Sequence, residues 1–388
     1  MDPVVIVNAV RTPLGAFNGK FKSLSAVDLG KVVIRKVIEN YNIKVNSVYM
    51  GCVLSAGLGQ SAARQAAIGA GLDESVNCVN VNKICGSGMT AIMLARNSIL
   101  SGENEVVIAG GMESMTNAPY LLEKARTGYR FGDAKIVDHI VKDGLQDAYE
   151  KCLMGHYAED AASTYAFTRE DQDKYAENSF IKARQAIRDG AFGREIVAVP
   201  IRDGKIDILV DTDEIPSSVD LTRIPTLKPS FRENGTITAA SASSISDGAA
   251  ALLLMRQSRA RELGFSPMAR IVAQSSFSQS PKLFASAPIG AISCLLEKSH
   301  WDITDVDLFE INEAFAVVPL IAIREFSLDS TRVNSHGGAC ALGHPLGTSG
   351  ARIVTTLLYL MDESRRRRGV AAVCVGGGEG VALALECP

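Results

Sequence analysis

The 388-residue chain has no excess of either charge, no CxxC cysteine pair and no apolar run long enough to cross a bilayer, and each lack removes a class of function. Its 43 acidic and 40 basic side chains leave a formal charge of -3. That is too small to draw the chain onto nucleic acid, so a small, locally bound partner fits better. The eight cysteines (Cys52, Cys78, Cys85, Cys152, Cys294, Cys340, Cys374, Cys387) are scattered. They read as reduced intracellular thiols rather than a disulfide framework or a set of metal ligands. Nothing reaches the roughly 20 apolar residues of a membrane span. Residues 4–7 open at once as a strand-like run before Arg11-Thr12-Pro13, with no basic, apolar leader ahead of them. The expectation is a cytoplasmic protein whose partners include neither membrane nor nucleic acid.

Apolar residues make up 47% of the chain, enough for two domains, since single cores stop growing below about 300 residues. Strand-like runs alternate with helix-period segments over residues 4–7, 29–39, 47–53, 62–70, 89–100 and 106–110. A second set follows at 289–297, 308–311, 347–361 and 370–375. This alternation predicts an α/β fold with helices covering a parallel or mixed sheet. The two sets resemble each other. Leu29-Gly30-Lys31 matches Ile289-Gly290-Ala291, Val48-Tyr49-Met50 matches Leu308-Phe309-Glu310, and Val81-Asn82 matches Val333-Asn334. A duplicated domain is one reading and a coincidence of generic α/β units the other. Residues 115–245 break the pattern, with more charge, an amphipathic stretch at 169–188 and a turn-rich one at 211–229; they read as an inserted lobe.

Four segments can carry chemistry. In Asn82-Lys83-Ile84-Cys85-Gly86-Ser87-Gly88, a strand running into a helix would set Cys85 at a helix N-terminus, where the dipole lowers a thiol pKa and makes thiolate available near neutral pH. The flanking glycines allow the strained turn a nucleophile needs, although a buried structural cysteine would look the same. In Gly337-Gly338-Ala339-Cys340-Ala341-Leu342-Gly343-His344-Pro345, a histidine in a glycine-dense loop reads as poised rather than packed, either as a base for a thiol or as a satisfied loop residue. Cys374-Val375-Gly376-Gly377-Gly378 offers a second thiol and glycine N–H groups for an oxyanion; no Lys-Ser/Thr follows, which rules out a phosphate-cradling P-loop. Glu310-Ile311-Asn312-Glu313 puts an amide and a carboxylate at a strand end.

Taken together and in this order, these segments resemble the thiolase family over nearly the whole chain. Further matching stretches are Gly110-Gly111-Met112-Glu113-Ser114-Met115, Asn234-Gly235-Thr236-Ile237-Thr238-Ala239 and Ser246-Asp247-Gly248-Ala249-Ala250. The Cys-Gly-Ser-Gly and Glu-Ser-Met forms are more similar to acetoacetyl-CoA thiolases than to the long-chain degradative branch. The resemblance implies duplicated βαβαβαββ halves forming a five-layer αβαβα core, with the N-terminal half at 1–114 plus 246–266, an inserted loop domain for coenzyme A at 115–245 and the C-terminal half at 267–388. It implies acetyl transfer between coenzyme A thioesters, with acetyl-CoA, acetoacetyl-CoA and CoA as small-molecule partners, no permanently bound cofactor, no metal, and a homo-oligomer, dimer or tetramer, contacting through 115–135.

Position by position, it implies that Cys85 is the acylated nucleophile, His344 its base, Cys374 the group moving the proton at the α-carbon, and Asn312 the holder of a water. The N–H groups of Cys85 and Gly376 would face the oxyanion. Ser243, Leu145, Met154, Phe231, Ala239 and Phe315 would line the pantetheine and acyl pocket. Leu153, Ser217, Ser241, Phe284, His336 and Glu379 depart from common forms of these motifs. A 3-ketoacyl-CoA thiolase for longer chains is the nearest rival, and a non-catalytic acyl-CoA- or lipid-binding relative the rival from another class.

Overall fold

The computed structural model describes residues 2–388. Its N-terminal half runs β1 (Val4–Arg11), α1 (Ala26–Ile38), β2 (Ser47–Gly51), α2 (Ala62–Gly69), β3 (Asn77–Val81), α3 (Ser87–Leu100) and β4 (Val106–Ser114). The inserted lobe contributes β5 (Tyr120–Leu122), β6 (Ile136–Asp138), α4 (Met154–Thr164), α5 (Arg169–Arg188), β7 (Val199–Asp203) and β8 (Ile206–Val210). The chain re-enters the first half as β9 (Ser246–Arg256). The second half is β10 (Ala269–Ser278), α6 (Ala287–Ser299), β11 (Leu308–Ile311), α7 (Val317–Glu325), α8 (Ser349–Glu363), β12 (Arg368–Val375) and β13 (Glu379–Glu386).

Helix starts follow local chemistry. Ser25 and Asp28 form a reciprocal capping box on α1, and Thr168 and Asp171 form one on α5. The strands are unbroken apolar runs because both faces are buried. Val107 and Leu252 point into one core while Ile108 and Leu253, next in sequence, point into another.

Across the sheet the strand order is β11-β12-β13-β10-β1-β9-β4-β2-β3. In the first half β3, β2 and β4 are parallel while β9 and β1 are antiparallel to their neighbours. In the second, β11 and β12 are parallel and β13 and β10 antiparallel. The halves therefore repeat one topology, joined at β1 and β10 by only two paired positions, Val5 with Arg270 and Ile6 with Ala269. The repeat is imperfect in one place: Val333, the counterpart of Val81, forms an isolated bridge to Phe309 instead of a strand.

Three cores separate the layers. Met89, Ile92 and Ile99 of α3 interleave with Val354, Leu357 and Leu358 of α8 in the middle. Helices α1 and α2 cover the outer face of the first sheet, and α6 and α7 that of the second. The result is a five-layer αβαβα arrangement.

The lobe is bound to β1 by one buried cation. Arg11 donates from Nε to Glu195 at 2.6 Å and from Nη1 and Nη2 to Asp213 at 2.7 and 2.9 Å, and its guanidinium lies 4.8 Å from the centre of the Phe192 ring. Arg11→Met should leave two buried carboxylates uncompensated and cost about 3–5 kcal/mol in a urea unfolding experiment; a loss below about 1 kcal/mol would show that the clamp does not fix the lobe.

Candidate active site

Loops at the carboxyl ends of parallel strands, together with the glycine-rich loop of His344, meet at one cavity of about 270 Å³. Its lining is mostly apolar, with Ile84, Leu145, Leu153, Met154, Phe231, Phe284 and Phe315, and it contains Cys85, His344, Cys374, Gly376 and Ser243. Each sulfur and the imidazole come from a different part of the chain, so the fold alone brings them together.

The turn carrying Cys85 lies between β3 and α3. Ile84 sits at φ 45°, a region a β-branched residue enters only under strain of about 1–3 kcal/mol. Ser87 holds the turn: its hydroxyl accepts from the Lys83 N–H at 2.8 Å and donates to the Ile84 carbonyl at 2.6 Å. Lys83 pairs with Glu379, which ties this turn to the glycine loop after Cys374. The N–H groups of Gly376 and of Cys85 itself favour the thiolate. Burial nevertheless outweighs both and pushes the thiol up to about 12. The sequence-based expectation of a helix-lowered thiol is thereby corrected, because in an apolar cavity desolvation of the thiolate exceeds the help of two N–H groups. Cys374 is buried and pushed well above the usual thiol range by desolvation and then by Cys85.

His344 is buried and lines the cavity. Gly343 before it is at φ 105°, where a Cβ would come within 2.1 Å of the Ser246 hydroxyl. Desolvation, followed by the Arg352 charge, lowers the ring to about 3, so it is neutral at physiological pH. Nδ1 lies 2.5 Å from Ser349 Oγ, and that hydroxyl is 2.9 Å from the Pro345 carbonyl. One assignment satisfies both contacts: Ser349 donates to Pro345, and His344 donates from Nδ1 to Ser349. Nε2 is then the unprotonated nitrogen, 3.5 Å from Asn312 Nδ2. Asn312 is itself buried with Oδ1 lacking a hydrogen-bond partner, an amide oxygen free to bind water.

Ser349 is a member of this site that reading the motifs missed; the Ser-Gly following Gly-His-Pro-Leu-Gly was the available signal. Two carboxylates were also missed in their structural role. Glu113 accepts from the N–H groups of Val53, Leu54 and Gly347 at 3.0, 3.0 and 2.7 Å. Glu313 accepts from Tyr175 at 2.9 Å, Ser179 at 2.7 Å, Asn334 at 2.9 Å and the Cys340 N–H at 3.0 Å. Both hold the His344 loop from either side.

Of the pocket residues expected from the motifs, Leu145, Met154, Phe231, Ser243 and Phe315 line the cavity, as do Leu153 and Phe284. Phe315 makes edge contacts with Phe231 and Phe284 at 5.8 and 6.0 Å. Ala239 is exposed and is not part of this lining, because the turn before Ser241 directs it outward. Ser217 is also exposed. Among the described residues no group of three or more His, Cys, Asp or Glu is placed to hold a metal ion, and no helix is long and apolar enough to cross a membrane.

Comparison with known proteins agrees with this fold. Residues 4–258 match the family model of the thiolase N-terminal domain and residues 265–387 that of the thiolase C-terminal domain. An acetyl-CoA acetyltransferase of Cupriavidus necator is 45% identical over 391 aligned residues, covering 100% of both chains. The crystal structure of the Bacillus anthracis acetyl-CoA acetyltransferase superposes with a TM-score of 0.97 at 38% identity, covering 100% of this chain and 99% of that one. Acat5 thiolase from Ascaris suum, in complex with coenzyme A, gives 0.94 at 41% identity with 100% of both chains covered.

Ser349→Ala should free the imidazole to adopt the wrong tautomer. Loss of one hydrogen bond of about 1.4 kcal/mol predicts a roughly tenfold fall in kcat/KM with little change in KM. Steady-state kinetics check this, and an unchanged kcat would detach Ser349 from the orientation of His344.

Proposed function

The chain belongs to the thiolase family, and from that premise we propose that it is an acetyl-CoA C-acetyltransferase, interconverting two acetyl-CoA with acetoacetyl-CoA and CoA through an acyl group on Cys85. The observation that carries the reading is the convergence of Cys85, His344, Cys374 and Gly376 on one apolar cavity. The names of the similar proteins supply the substrate class.

In the cleaving direction, His344 Nε2 takes the Cys85 proton as the sulfur attacks the 3-keto carbon of acetoacetyl-CoA. The resulting oxyanion faces the N–H groups of Cys85 and Gly376. The carbon–carbon bond then breaks, and the leaving enolate of acetyl-CoA takes the proton of the Cys374 thiol. A group pushed well above the usual thiol range starts this step in the protonated form it needs. In the second half, the Cys374 thiolate takes the proton of incoming CoA, whose sulfur attacks the acetylated Cys85. Protonated His344 returns its proton to the departing Cys85 sulfur, restoring every group. Asn312, with a bound water, polarises the thioester oxygen beside His344. Condensation is the same sequence reversed. Ser243, Leu145, Met154, Phe231 and Phe315 flank the acyl and pantetheine end.

The lining favours a short acyl group, because three phenylalanine rings, Phe231, Phe284 and Phe315, crowd the wall. Cytoplasmic residence remains our reading, supported by eight unpaired cysteines. We further take the protein to assemble as a homotetramer. On the β5–β6 hairpin Tyr120, Leu122, Phe131 and Ile136 are exposed, an apolar set that a second copy would cover. Phe131→Glu with Leu122→Glu should lower the assembly state in sedimentation velocity; an unaltered mass would remove the hairpin from the contact.

Incubation with acetyl-CoA should add one acetyl group to the Cys85 peptide, and Cys85→Ala should abolish it. Cys374→Ala should still acetylate but condense about 10²- to 10⁴-fold more slowly. Thiolysis should be faster on acetoacetyl-CoA than on a longer 3-ketoacyl-CoA, and the reverse order would transfer the chain to the long-chain branch.

A further inference from the structure

One layer beneath the site lies a cluster of buried charges that the proton transfers do not use. Glu310 precedes Asn312 by two residues on β11, and Arg352 follows Ser349 by three on α8. Those spacings place each on the same side of its element as the group that contacts His344. Both side chains are 1% exposed, and Arg352 Nη1 lies 3.6 Å from Glu310 Oε2. That separation is too long for a direct hydrogen bond. Arg352 Nη1, both oxygens of Glu310 and Oε2 of the nearby Glu195 find no protein partner. Four unpartnered polar atoms converging in a core are the surroundings an internal water needs.

We propose that the Arg352–Glu310 pair, bridged by internal water, sets the electric field at the ring of His344. The inference rests on His344 acting as the base. An ion pair kept only for stability would be closed by direct bidentate contact, since an arginine and a carboxylate fit each other's geometry. Here the two groups stand 3.6 Å apart without such contact, and, next to burial, the guanidinium charge lowers the His344 ring. Glu310 is pushed up to about 8 by burial, despite Arg352, with Glu313 and Glu195 adding to the rise and Lys182 opposing it. Arg352 in turn is faced by Glu310, Arg11, Glu195 and Glu313. Burial thus keeps Glu310 largely protonated at neutral pH and below, so it cancels little of the positive field reaching the imidazole.

The chain has five histidines, so the His344 ring can be assigned by nitrogen-15 NMR from its loss in His344→Gln. The ring is titrated from neutral pH to the acid limit of the fold. Arg352→Met should let it take a proton about one to two pH units higher than in the unaltered protein, the size expected of one charge removed several ångströms away at an effective dielectric near 20. Arg352→Lys should restore the original behaviour, and Glu310→Gln should not raise it, because the arginine charge remains. The acid limb of thiolysis should move with the ring in Arg352→Met. A folded Arg352→Met whose ring titrates as before, or stays uncharged to the acid limit, overturns the proposal; so does an equal upward shift in all three variants, the mark of a merely structural role. Wild-type thiolysis by His344→Gln would instead remove His344 as the base while leaving the ring titrations as a separate result.

Discussion

The carboxylate of Glu113 is the point where the two halves of the molecule are locked together, and the geometry of the site follows from it. It stands on β4 of the first half and takes the Gly347 N–H from the second, along with those of Val53 and Leu54. The loop it catches carries His344. The neighbouring contact permits no side chain: a Cβ on Gly51, Gly88 or Gly111 would come within 2.5, 2.9 or 2.1 Å of the Gly347 carbonyl oxygen. Three glycines and one buried acid thus set the depth to which the histidine loop enters the first half. Burial raises Glu113 and the three N–H groups lower it again, so the group is held by hydrogen bonds rather than by a counter-charge.

Duplication explains why the reacting groups converge. In each half the parallel strands end on the same side, where Cys85 follows β3, Asn312 follows β11 and Cys374 closes β12. Ligands of α/β sheets bind outside the carboxyl ends of strands. Packing α3 against α8 turns these ends toward one another across the middle layer. One thiol then comes from each half, which a single copy of the unit would not provide. The inserted lobe closes the remaining side. The Ser243 N–H donates to the Ala314 carbonyl at 3.0 Å and the Ala316 N–H to the Ser241 carbonyl at 2.8 Å, placing Ser243 and Phe315 on adjoining walls.

The alternation of strands and helices was legible because it depends on local periodicity. The cysteines and histidine stood out because glycine punctuates the turns around them. What did not show was anything set by contacts distant in sequence. Glu113 reads as part of a Glu-Ser-Met strand end, yet its partner Gly347 is 234 residues away. His344 looked open because its neighbours in sequence are small; the residues burying it belong to other loops. The direction of the Cys85 shift was misread for the same reason: a helix end is visible in sequence, whereas the apolar wall that outweighs it is assembled from Leu145, Met154, Phe231 and Phe315.

That misread sign bears on how the site works. Desolvation raises Cys85 and lowers His344, so the resting pair is thiol and imidazole rather than thiolate and imidazolium. An ion pair formed in the empty cavity would be costly, since its wall offers few dipoles to either charge. The proton can therefore move only when a carbonyl arrives to spread the negative charge toward the N–H groups of Cys85 and Gly376. The same apolar wall that opposes charge separation at rest strengthens those N–H contacts once the charge has formed. It also limits the competing hydrolysis of an acyl thioester, because water reaching the sulfur would have to leave bulk solvent for a phenylalanine-lined cavity. Suppressing the thiolate at rest and protecting the acyl group afterwards are consequences of one physical cause, the apolar wall to which Phe231, Phe284 and Phe315 contribute.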